Sequence, residues 1–487
     1  MATSPRKTKI VCTIGPATVS PERIEELIRA GMDVARLNFS HGDHESHRQT
    51  IRIIRKKSEE KGKVIGILQD LGGPKIRLGE LPAQEVELEI GEQVVLSPMK
   101  PVEPSDIPVD YPYIVEDVAI FDHILLADGL ILLKVKAKEK DRVICEVLVG
   151  GMIQSHKGLN LPSSSLRVPA FTEKDRQDLS VGIEEAVDFV ALSFVRHEKD
   201  LEPVRKLLVK NPKPPFLIAK IEKPQAIQRF KEILDGVDGV MVARGDLGVE
   251  MPLEDVPIIQ KKIIRTSRYA GKPVITATQM LRSMIKSPRP TRAEATDVAN
   301  AILDGTDALM LSEETAIGNY PIEAVQILDR IARATEAHMQ EYSVGDAPVF
   351  DNLGMTESAI SRSACFLAED LNAASIIAAT SSGSTARLVA RYRPPTPVLA
   401  LTPNQQTQRQ LTLSWGVTPV LVTPFSDADE IFELARRWTM EHSLAKPGDR
   451  LIVTAGVPVG TPGATNLLKV IKIDDKKVTP CSFDPSI

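Results

Sequence analysis

The feature that most constrains this chain is a regular alternation of short apolar runs and amphipathic segments between residues 9 and 342. Each run is rich in Val, Ile or Leu and is too short for a helix, so each predicts a buried parallel strand. Eight such strands with helices between them predict a (β/α)8 TIM barrel. The predicted strands are Lys9–Gly15, Val34–Phe39, Val64–Asp70, Phe189–Phe194, Phe216–Ile221, Gly239–Ala243, Pro273–Ala277 and Ala308–Leu311. The predicted helices are Pro21–Ala30, His44–Glu60, Leu201–Val209, Ile258–Tyr269, Arg292–Leu303 and Ile322–Tyr342.

The alternation is interrupted once, after the third strand. Residues 74–168 contain period-2 segments such as Leu130–Lys136, and five prolines fall between Pro98 and Pro112. Strand-like alternation with Pro and Gly turns predicts a small all-β, barrel-like domain inserted in a barrel loop. The barrel itself is therefore predicted over residues 1–73 and 169–344, with the inserted domain over 74–168.

A second α/β series follows residue 345, after a connector rich in Gly, Asp, Pro and Asn. Its apolar runs again alternate with helical patterns, which predicts a separate, doubly wound α/β domain over residues 345–487. The predicted strands of this domain are Ser375–Thr380, Val398–Leu401, Val417–Thr423 and Arg450–Ala455.

Composition excludes several classes of partner. The formal net charge is −5 and aromatic residues make up only 4% of the chain, which argues against nucleic acid or an anionic membrane surface as a partner. No apolar run reaches the roughly 18 residues of a membrane span. The four cysteines lie far apart, with no C-x-x-C motif, which predicts a protein of the reducing cytoplasm.

Polar residues follow the ends of six predicted barrel strands, at the rim where barrels of this kind place their active sites. Taken singly, each has a simpler interpretation: Asp70 as a turn cap, Lys220 and Glu222 as a structural ion pair, Thr278 as a packing residue. Their convergence on one rim favours an active site. The rim residues are Arg36, Asn38, Ser40, Asp70, Arg77, Lys220, Glu222, Arg244, Gly245, Asp246, Thr278, Gln279, Ser312 and Glu313.

The chemistry that these groups permit is narrow. Glu222 and Asp246 are hard oxygen ligands on neighbouring strands, which suits Mg²⁺, with Mn²⁺ as the alternative metal. Arg36, Arg77 and Lys220 are cations suited to a multiply charged phosphorylated acid. Lys220 could instead act as a Schiff-base nucleophile, but a carboxylate two residues away favours its charged form. Lys220 is therefore interpreted as an electrophile that stabilises developing negative charge.

Six strings in this order make the chain resemble the pyruvate kinase family over essentially its whole length. The resemblance implies transfer of the phosphoryl group of phosphoenolpyruvate to ADP, which gives pyruvate and ATP in the last step of glycolysis. The strings are Lys9–Pro16 (KIVCTIGP), Ala35–Gly42 (ARLNFSHG), Ala219–Glu222 (AKIE), Val242–Gly248 (VARGDLG), Ala277–Met280 (ATQM) and Pro288–Glu294 (PRPTRAE).

The same resemblance assigns roles to the rim residues. It implies that Arg36 holds the phosphoryl group and that Lys220 stabilises the transition state. Thr278 with a water, or Ser312, is the candidate proton donor to enolpyruvate. The resemblance further implies that Glu222 and Asp246 bind Mg²⁺, and that Gly245, Asp246 and Thr278 bind the substrate carboxylate. It implies a nucleotide site formed by Asn38, His41, Arg77 and Lys157. The inserted domain would close over this site as a lid.

One position departs from the pattern of members that require K⁺. The family's monovalent-cation position matches Asn38, Ser40, Asp70 and the Leu71 carbonyl, and K⁺-dependent members carry Glu where this chain has Lys75. The prediction is that the Lys75 ammonium replaces K⁺, so that K⁺ is dispensable. The alternative is that Lys75 is a solvated loop lysine.

The C-terminal domain carries the string Thr380-Ser381-Ser382-Gly383-Ser384-Thr385 between a predicted strand and a helix. Small hydroxyl residues with Gly at a helix start suit a phosphate, and the resemblance implies a phosphorylated allosteric effector here and a homotetramer. The later loop Gly456–Gly463 lacks the Trp and Arg of animal members regulated by fructose bisphosphate, so the effector is not identified.

Other interpretations remain for the function of the whole chain and for one histidine motif. A barrel lyase or aldolase could use the same Mg²⁺ and Lys220, and an inactive metabolite-sensing homologue could share the fold. The spacing of His41, His44 and His47 is compatible with zinc, but a helix capped by Asp43 or Ser46 explains two of them more simply.

Overall fold

The computed structural model describes residues 6–81, 83–162, 164, 166–339, 341, 355–458 and 465–474. The first part of the chain folds as the alternation predicts. It contains β1 (Lys9–Thr13), α1 (Pro21–Ala30), β2 (Val34–Asn38), α2 (His44–Glu60) and β3 (Gly66–Asp70), and the three strands pair in parallel.

The starts of both helices are set by side-chain caps. The Ser20 hydroxyl accepts a hydrogen bond from the Arg23 amide at the start of α1, and the Asp43 carboxylate accepts one from the Ser46 amide at the start of α2. Each cap satisfies one of the amide groups that a helix leaves without a partner at its amino end. Of the two candidate caps, Asp43 and Ser46, it is therefore Asp43 that caps α2.

After β3 the chain leaves the barrel and forms two small sheets. One is the two-stranded pair β10–β4, and the other is six-stranded in the order β11-β7-β8-β9-β5-β6. Buried Leu133, Val135, Cys145 and Val147 belong to the separate core of this inserted domain. The elements are β4 (Val86–Leu88), β5 (Gln93–Pro98), β6 (Ile107–Val109), α3 (Ile114–Asp117), β7 (His123–Leu126), β8 (Ile131–Lys138), β9 (Val143–Val149), β10 (Gly151–Ile153) and β11 (Leu159–Asn160).

The chain then returns and closes the barrel with five more parallel strands. The closed order is β1-β16-β15-β14-β13-β12-β3-β2, which confirms the predicted TIM barrel. The strands are β12 (Phe189–Leu192), β13 (Phe216–Ile221), β14 (Gly239–Ala243), β15 (Val274–Ala277) and β16 (Ala308–Leu311). The helices are α4 (Glu173–Glu184), α5 (Glu202–Leu208), α6 (Pro224–Gln228), α7 (Phe230–Asp235), α8 (Arg244–Glu250), α9 (Val256–Tyr269), α10 (Arg292–Leu303), α11 (Glu313–Ala316) and α12 (Pro321–Ala337).

Some barrel helices differ from the prediction. The sequence did not single out α4, whose twelve residues are mostly polar and whose start is fixed by a capping box between Thr172 and Asp175. The last barrel helix ends at Ala337, before the predicted Tyr342, which lies outside the described residues. Local patterns define helix ends poorly because several neighbouring residues can end a helix at similar cost.

Alternate side chains of each strand point into the barrel. Val34 on β2, Leu68 on β3 and Ile218 on β13 belong to the core cluster inside the barrel, which Leu413 of the C-terminal domain also joins. Because strand side chains alternate, the residues two positions further on, at the carboxyl ends of these strands, also face inward. This register places Arg36, Asp70 and Lys220 at one mouth of the barrel.

The C-terminal domain is a five-stranded sheet in the order β19-β18-β17-β20-β21 with a core on each face, as expected of a doubly wound domain. Its last strand is antiparallel and was not predicted. Its strands are β17 (Ser375–Ala379), β18 (Val398–Thr402), β19 (Val417–Leu421), β20 (Arg450–Gly456) and β21 (Thr465–Lys472). Its helices are α13 (Thr356–Asp370), α14 (Ser384–Ala390), α15 (Gln405–Gln410) and α16 (Ala428–Glu441).

Polar contacts join the inserted domain to the barrel. The Asn160 side-chain amide of β11 donates a 2.7 Å hydrogen bond to Glu250 Oε1 at the end of α8, and Lys223 Nζ lies 2.6 Å from the same oxygen. These contacts hold the inserted domain over the carboxyl end of the barrel. Within the described ranges, no helix is both long enough and apolar enough to cross a membrane.

Candidate active site

Arg36 and Asp70 form a buried ion pair at the ends of β2 and β3. Arg36 Nε donates to Asp70 Oδ2 at 2.7 Å, and Arg36 Nη1 donates to the Thr13 hydroxyl at 3.0 Å. Burial opposes ionisation of Asp70, but Lys220 and Arg36 outweigh it and hold the pKa of this carboxyl below its usual value. The guanidinium is thus fixed before any ligand arrives.

Lys220, at the end of β13, is the centre of the cluster. Its Nζ lies 2.9 Å from Glu222 Oε1 and 3.4 Å from Asp70 Oδ1, and it donates a 2.7 Å hydrogen bond to the Ser193 hydroxyl. Burial would lower the pKa of Lys220, but Asp70, Glu222 and Asp246 together raise it above its usual value. A charged ammonium suits an electrophile and does not suit a Schiff-base nucleophile, which needs a neutral amine.

Glu222 and Asp246 lie close enough to repel each other. Burial raises the pKa of Glu222, the charge of Lys220 opposes this, and the negative charge of Asp246 adds to it. Glu222 Oε2 also accepts a 2.8 Å hydrogen bond from the Phe194 amide. Two neighbouring carboxylates whose repulsion a divalent cation would relieve fit Mg²⁺. No set of three His, Cys, Asp or Glu in the described part of the chain could hold a metal, so other ligands here would come from substrate and water.

Thr278 and Gly245 lie side by side where β14 and β15 end. The Gly245 amide donates a 2.7 Å hydrogen bond to the Thr278 hydroxyl, which in turn donates to the Ala277 carbonyl at 2.6 Å. Thr278 has a φ of +69°, a left-handed conformation that is strained for a branched side chain. Arg244 Nη2 donates to the Thr278 carbonyl at 2.8 Å and supports this turn.

The residues of the predicted monovalent-cation position lie at the ends of β2 and β3, where Asn38 pairs with Asp70 in the sheet. The Ser40 amide donates to Asn38 Oδ1 at 3.2 Å, and the Leu71 carbonyl accepts a 2.8 Å hydrogen bond from the Ser193 hydroxyl. A Cβ on Gly72 would lie 2.9 Å from the Ser40 hydroxyl, so Ser40 packs directly against the turn that follows Leu71.

Lys75 follows this turn and lies next to the inserted domain. A Cβ on Gly158 would meet Lys75 Cε at 3.2 Å, and Lys75 lines a small cavity together with Phe194 and Asp246. The Lys75 amide donates to the Gly73 carbonyl at 3.0 Å, and its ammonium forms no ion pair with an acidic residue in the described part of the chain.

Arg77 and Lys157 are brought together by the inserted domain. Arg77 pairs with Gly158 across an antiparallel bridge and donates to the His156 carbonyl at 3.1 Å, while the Leu78 amide donates to the Lys157 carbonyl at 2.8 Å. Partial burial and the nearby charges of Arg77, Lys75 and Arg36 lower the pKa of His41. The neutral imidazole therefore lies at the edge of a positively charged surface.

The other two histidines of the motif have structural partners. His44 Nε2 lies 2.8 Å from Asp178 Oδ1, and the His47 ring stacks on Phe39 with 3.9 Å between ring centres. His47 Nε2 also lies 2.9 Å from the His41 carbonyl. These contacts agree with the interpretation of His44 and His47 as residues of a capped helix.

Sequence reasoning missed residues that position the site. Thr13 contacts Arg36, and Ser193 contacts Lys220. Thr13 and Ser193 each end or follow a barrel strand, as Ser40 does, so their position after a strand was the available signal. Ser312, a proton-donor candidate, donates its amide to Glu314 Oε2 at 2.7 Å.

The loop before α14 is held together by its own hydroxyl groups. The Gly383 amide donates to the Thr380 hydroxyl at 2.9 Å, the Ser382 and Ser384 hydroxyls lie 3.1 Å apart, and the Ser381 carbonyl accepts from the Thr407 hydroxyl at 2.8 Å. The Thr385 hydroxyl lies 2.6 Å from that of Thr465 on β21. Of the later loop 456–463, residues 459–463 lie outside the described residues.

Comparisons with known proteins agree with this geometry. The family model described as "Pyruvate kinase, barrel domain" matches residues 5–325, and "Pyruvate kinase, alpha/beta domain" matches residues 358–471. The chain is 48% identical over 474 residues to "Pyruvate kinase" of Sporosarcina psychrophila, which covers 96% of this chain and 81% of that protein. It is 46% identical, over 96% of this chain and 81% of the other, to "Pyruvate kinase" of Geobacillus stearothermophilus.

A solved structure has the same fold over nearly the full chain. The crystal structure of a pyruvate kinase from Cryptosporidium parvum superposes with a TM-score of 0.87 at 37% sequence identity. The match covers 96% of each chain.

Proposed function

Because the chain belongs to the pyruvate kinase family, we propose that the cluster at the carboxyl end of its barrel carries out phosphoryl transfer from phosphoenolpyruvate to ADP. The chain is an enzyme of this family, and the family implies phosphoenolpyruvate and ADP as its substrates. The observation that carries the assignment of residues is the charged Lys220 ammonium, held between Asp70 and Glu222 beside Arg36.

The first role concerns the transferring phosphoryl group. Arg36 binds its oxygens, and Lys220 stabilises the negative charge that develops on the enolate oxygen and the phosphoryl group in the transition state. The support is that both cations are anchored in advance by buried carboxylates, so little reorganisation is needed when substrate binds.

The second role concerns the metal. Glu222 and Asp246 hold Mg²⁺, or Mn²⁺ in its place, which when bound neutralises charge on the substrate oxygens. The support is the mutual repulsion of these two carboxylates: burial raises the pKa of Glu222, the charge of Lys220 opposes this, and the charge of Asp246 adds to the rise.

The third role concerns the substrate carboxylate and the final proton. The Gly245 and Asp246 amides at the start of α8, with the Thr278 hydroxyl, seat the carboxylate. Binding would require the Thr278 hydroxyl to release or share the Gly245 amide that it now engages at 2.7 Å. Thr278 with a water delivers the proton to enolpyruvate, with Ser312 as the alternative donor.

The fourth role concerns the nucleotide and the lid. Arg77, Lys157, His41 and Asn38 face the ADP phosphates, and closure of the inserted domain excludes water that would otherwise hydrolyse the phosphoryl group. The support is that Arg77 and Lys157 occupy adjacent positions of one antiparallel bridge, so a single movement of this domain carries both.

The fifth role concerns the monovalent cation. The family generally uses K⁺ with Mg²⁺. We propose that Lys75 supplies the positive charge and makes K⁺ dispensable. The support is that the charge of Lys75 reaches the site, since it acts on His41 together with Arg36, and that its side chain lines one cavity with Asp246.

The finer proposals concern regulation and assembly. A phosphorylated metabolite binds the loop Thr380–Thr385, where the half-buried hydroxyls of Ser382 and Ser384, 3.1 Å apart, are the candidate contacts. The chain assembles as a homotetramer of 53.3 kDa subunits. Titration of sugar phosphates and AMP against activity, with Ser382→Ala as the variant, tests the first. An unchanged response to the effector in this variant would contradict the proposed loop site. Sedimentation velocity tests the homotetramer, and a monomer would contradict it.

One assay separates the proposed function from its alternatives. Wild type should form equal amounts of pyruvate and ATP from phosphoenolpyruvate and ADP, and Lys220→Met should not. A lyase or aldolase would cleave or condense a carbonyl substrate without forming ATP, and a sensing homologue would bind phosphoenolpyruvate without turnover. Undiminished turnover in Lys220→Met would show that the residues proposed here are not the catalytic ones.

A further inference from the structure

A second cluster of charge lies at the opposite end of the barrel, where the C-terminal domain packs against it. A narrow cavity there is partly open to solvent, and side chains of both domains line it. Five cationic side chains line it: Arg268 and Lys272 from the barrel, and Arg387, Arg391 and Arg393 from α14 and the turn that follows it.

Among the residues that line the cavity, Asp307 supplies the one carboxylate that faces these cations. Both oxygens of this carboxylate are already engaged. Asp307 Oδ1 lies 3.1 Å from Arg393 Nη1 and accepts from the Trp415 amide at 3.2 Å, while Oδ2 accepts from the Val274 amide at 3.0 Å. Outside the lining, Asp238 acts on Arg387 and on Lys272, and Asp235 acts on Lys272. The cavity therefore carries an excess of positive charge that nearby acids compensate only in part.

The excess charge is also poorly hydrated. Arg393 is only 7% exposed, and burial lowers the pKa of Arg387 and of Arg268 to about 10 each, with the charge of Arg393 adding to the effect on Arg268. Lys272 and Arg393 donate to backbone carbonyls, which satisfy their N–H groups but do not neutralise their charge. Because buried like charges are costly, a cluster of cations with few acids normally binds a counterion.

Polar atoms around the cavity are also left without partners. Arg268 Nε, Arg393 Nε and the Ser414 hydroxyl are buried and have no hydrogen-bond partner in the described part of the chain. Buried groups of this kind usually mark a bound ion or water. The remaining contacts of Arg387 point elsewhere, because it stacks 4.9 Å above the Phe216 ring and donates to the Ser382 carbonyl at 3.2 Å.

We propose that this cavity is an anion site that accepts a phosphate group, either as inorganic phosphate or as the phosphate of a small metabolite whose remainder stays at the open side. Guanidinium groups present planar pairs of N–H donors that match phosphate oxygens, and several together favour a multiply charged oxyanion over chloride. The site is distinct from the catalytic cluster, which lies at the other end of the strands. It is also distinct from the loop Thr380–Thr385, with which it shares only the neighbouring residue Arg387.

The first experiment measures the Tm of the intact enzyme against inorganic phosphate, at an ionic strength held constant with potassium chloride. Wild type should show a saturable rise in Tm, because a ligand that binds only the folded state stabilises it. Arg268→Gln should weaken the apparent phosphate affinity about tenfold or more, since it removes a charged donor. Lys262→Gln, an exposed position on the same helix, should match wild type. Ser382→Ala leaves the lining of the cavity intact, so it removes only phosphate bound at the loop and should keep the response that Arg268→Gln loses.

Phosphate that binds at the catalytic cluster affects wild type and Arg268→Gln equally, so the difference between them reports this cavity. Equal phosphate response in the two proteins would overturn the proposal. A response lost in Ser382→Ala but kept in Arg268→Gln would assign the phosphate to the loop and would also overturn it. Glycerol phosphate, compared with inorganic phosphate, distinguishes the two sources: a larger shift with glycerol phosphate indicates a metabolite.

A second measurement does not depend on how well the variant folds. Crystals of wild type grown with selenate should show anomalous selenium density within hydrogen-bond distance of Arg268 and Arg393. Density at the catalytic cluster with none in this cavity would overturn the proposal. Arg268→Lys keeps the charge but loses the planar donor pair, so it should bind phosphate more weakly than wild type and more tightly than Arg268→Gln.

Discussion

At the carboxyl end of the barrel, Arg36 and Lys220 lie within 3.4 Å of the carboxylates of Asp70 and Glu222, whereas at the amino end five cationic side chains share Asp307. Both clusters are largely buried and both are built on the same eight strands. They differ in how the charge is compensated. The first cluster is balanced by its own acids, and the second is balanced only in part.

The difference indicates what each end requires from a ligand. Balanced cations remain charged and fixed without substrate, and they can shift from a carboxylate to a phosphoryl oxygen as charge develops during reaction. Unbalanced buried cations instead raise the energy of the folded state until an anion arrives. The comparison therefore predicts catalysis at one end and ligand-dependent stability at the other, and the following tests examine it from the largest expected effect to the smallest.

Replacement of the central cation at the carboxyl end should have the largest effect. Lys220→Met should lower kcat by about a thousandfold or more, because removal of one group that stabilises transition-state charge typically costs this much. Initial rates of pyruvate formation measure it, with the exposed Lys210→Met as the matched control. A loss of less than tenfold, in a variant whose Tm matches wild type, would contradict the role of Lys220.

The metal prediction concerns the two repelling carboxylates. Glu222→Gln should raise the Mg²⁺ concentration that gives half-maximal rate by about tenfold to a hundredfold, because loss of a metal-binding group commonly has this effect on affinity. Rates measured over a Mg²⁺ titration test this, with Mn²⁺ as a second metal. An unchanged Mg²⁺ requirement would exclude Glu222 as a ligand.

The charge of Lys75 can be tested by reversing it. Wild type should change its rate less than about twofold when K⁺ replaces a large organic cation, whereas Lys75→Glu should be activated several-fold by K⁺, because the site then lacks its tethered positive charge. Steady-state rates at constant ionic strength provide the measurement. Strong K⁺ activation of wild type would show that Lys75 is a solvated loop residue.

The amino end should respond in stability and not in catalysis. In buffer without phosphate, Arg268→Gln should raise the Tm by a few degrees, about 1 kcal/mol, because it removes an uncompensated buried cation. Calorimetry measures this. Asp70→Asn at the other end should have the opposite sign, since it leaves two buried cations without a shared partner. If both variants destabilise equally, the two ends do not differ as proposed.

The smallest effect concerns the imidazole of His41. Its pKa is lowered by partial burial and by the charges of Arg77, Lys75 and Arg36, so Lys75→Gln should raise it towards the usual value. His41 would then bind a proton at a higher pH than in wild type. Titration of the imidazole carbon signals by NMR measures the shift. A pKa that does not move would show that the Lys75 charge does not reach the rim.

Much of the fold could be predicted from the sequence. The strands Phe216–Ile221 and Gly239–Ala243 and the helices Pro21–Ala30 and His44–Glu60 were predicted to the residue, because each combines apolar periodicity with clear end signals. Most of the polar rim residues were also found, since fold and strand order define where the carboxyl ends lie. Helix α4 was missed because its apolar face is weak.

The sequence by itself determined which segments become strands and helices, and which side chains can reach the carboxyl end of the barrel. These properties follow from periodicity and from local caps, which act over a few neighbouring residues. Only the tertiary structure decided which charges meet. Lys220 pairs with Asp70 and donates a hydrogen bond to Ser193. Arg268 lies near Arg393, whose ion-pair partner is Asp307. Such pairings join residues far apart in the chain, and their energies depend on distance and burial, neither of which a local pattern contains.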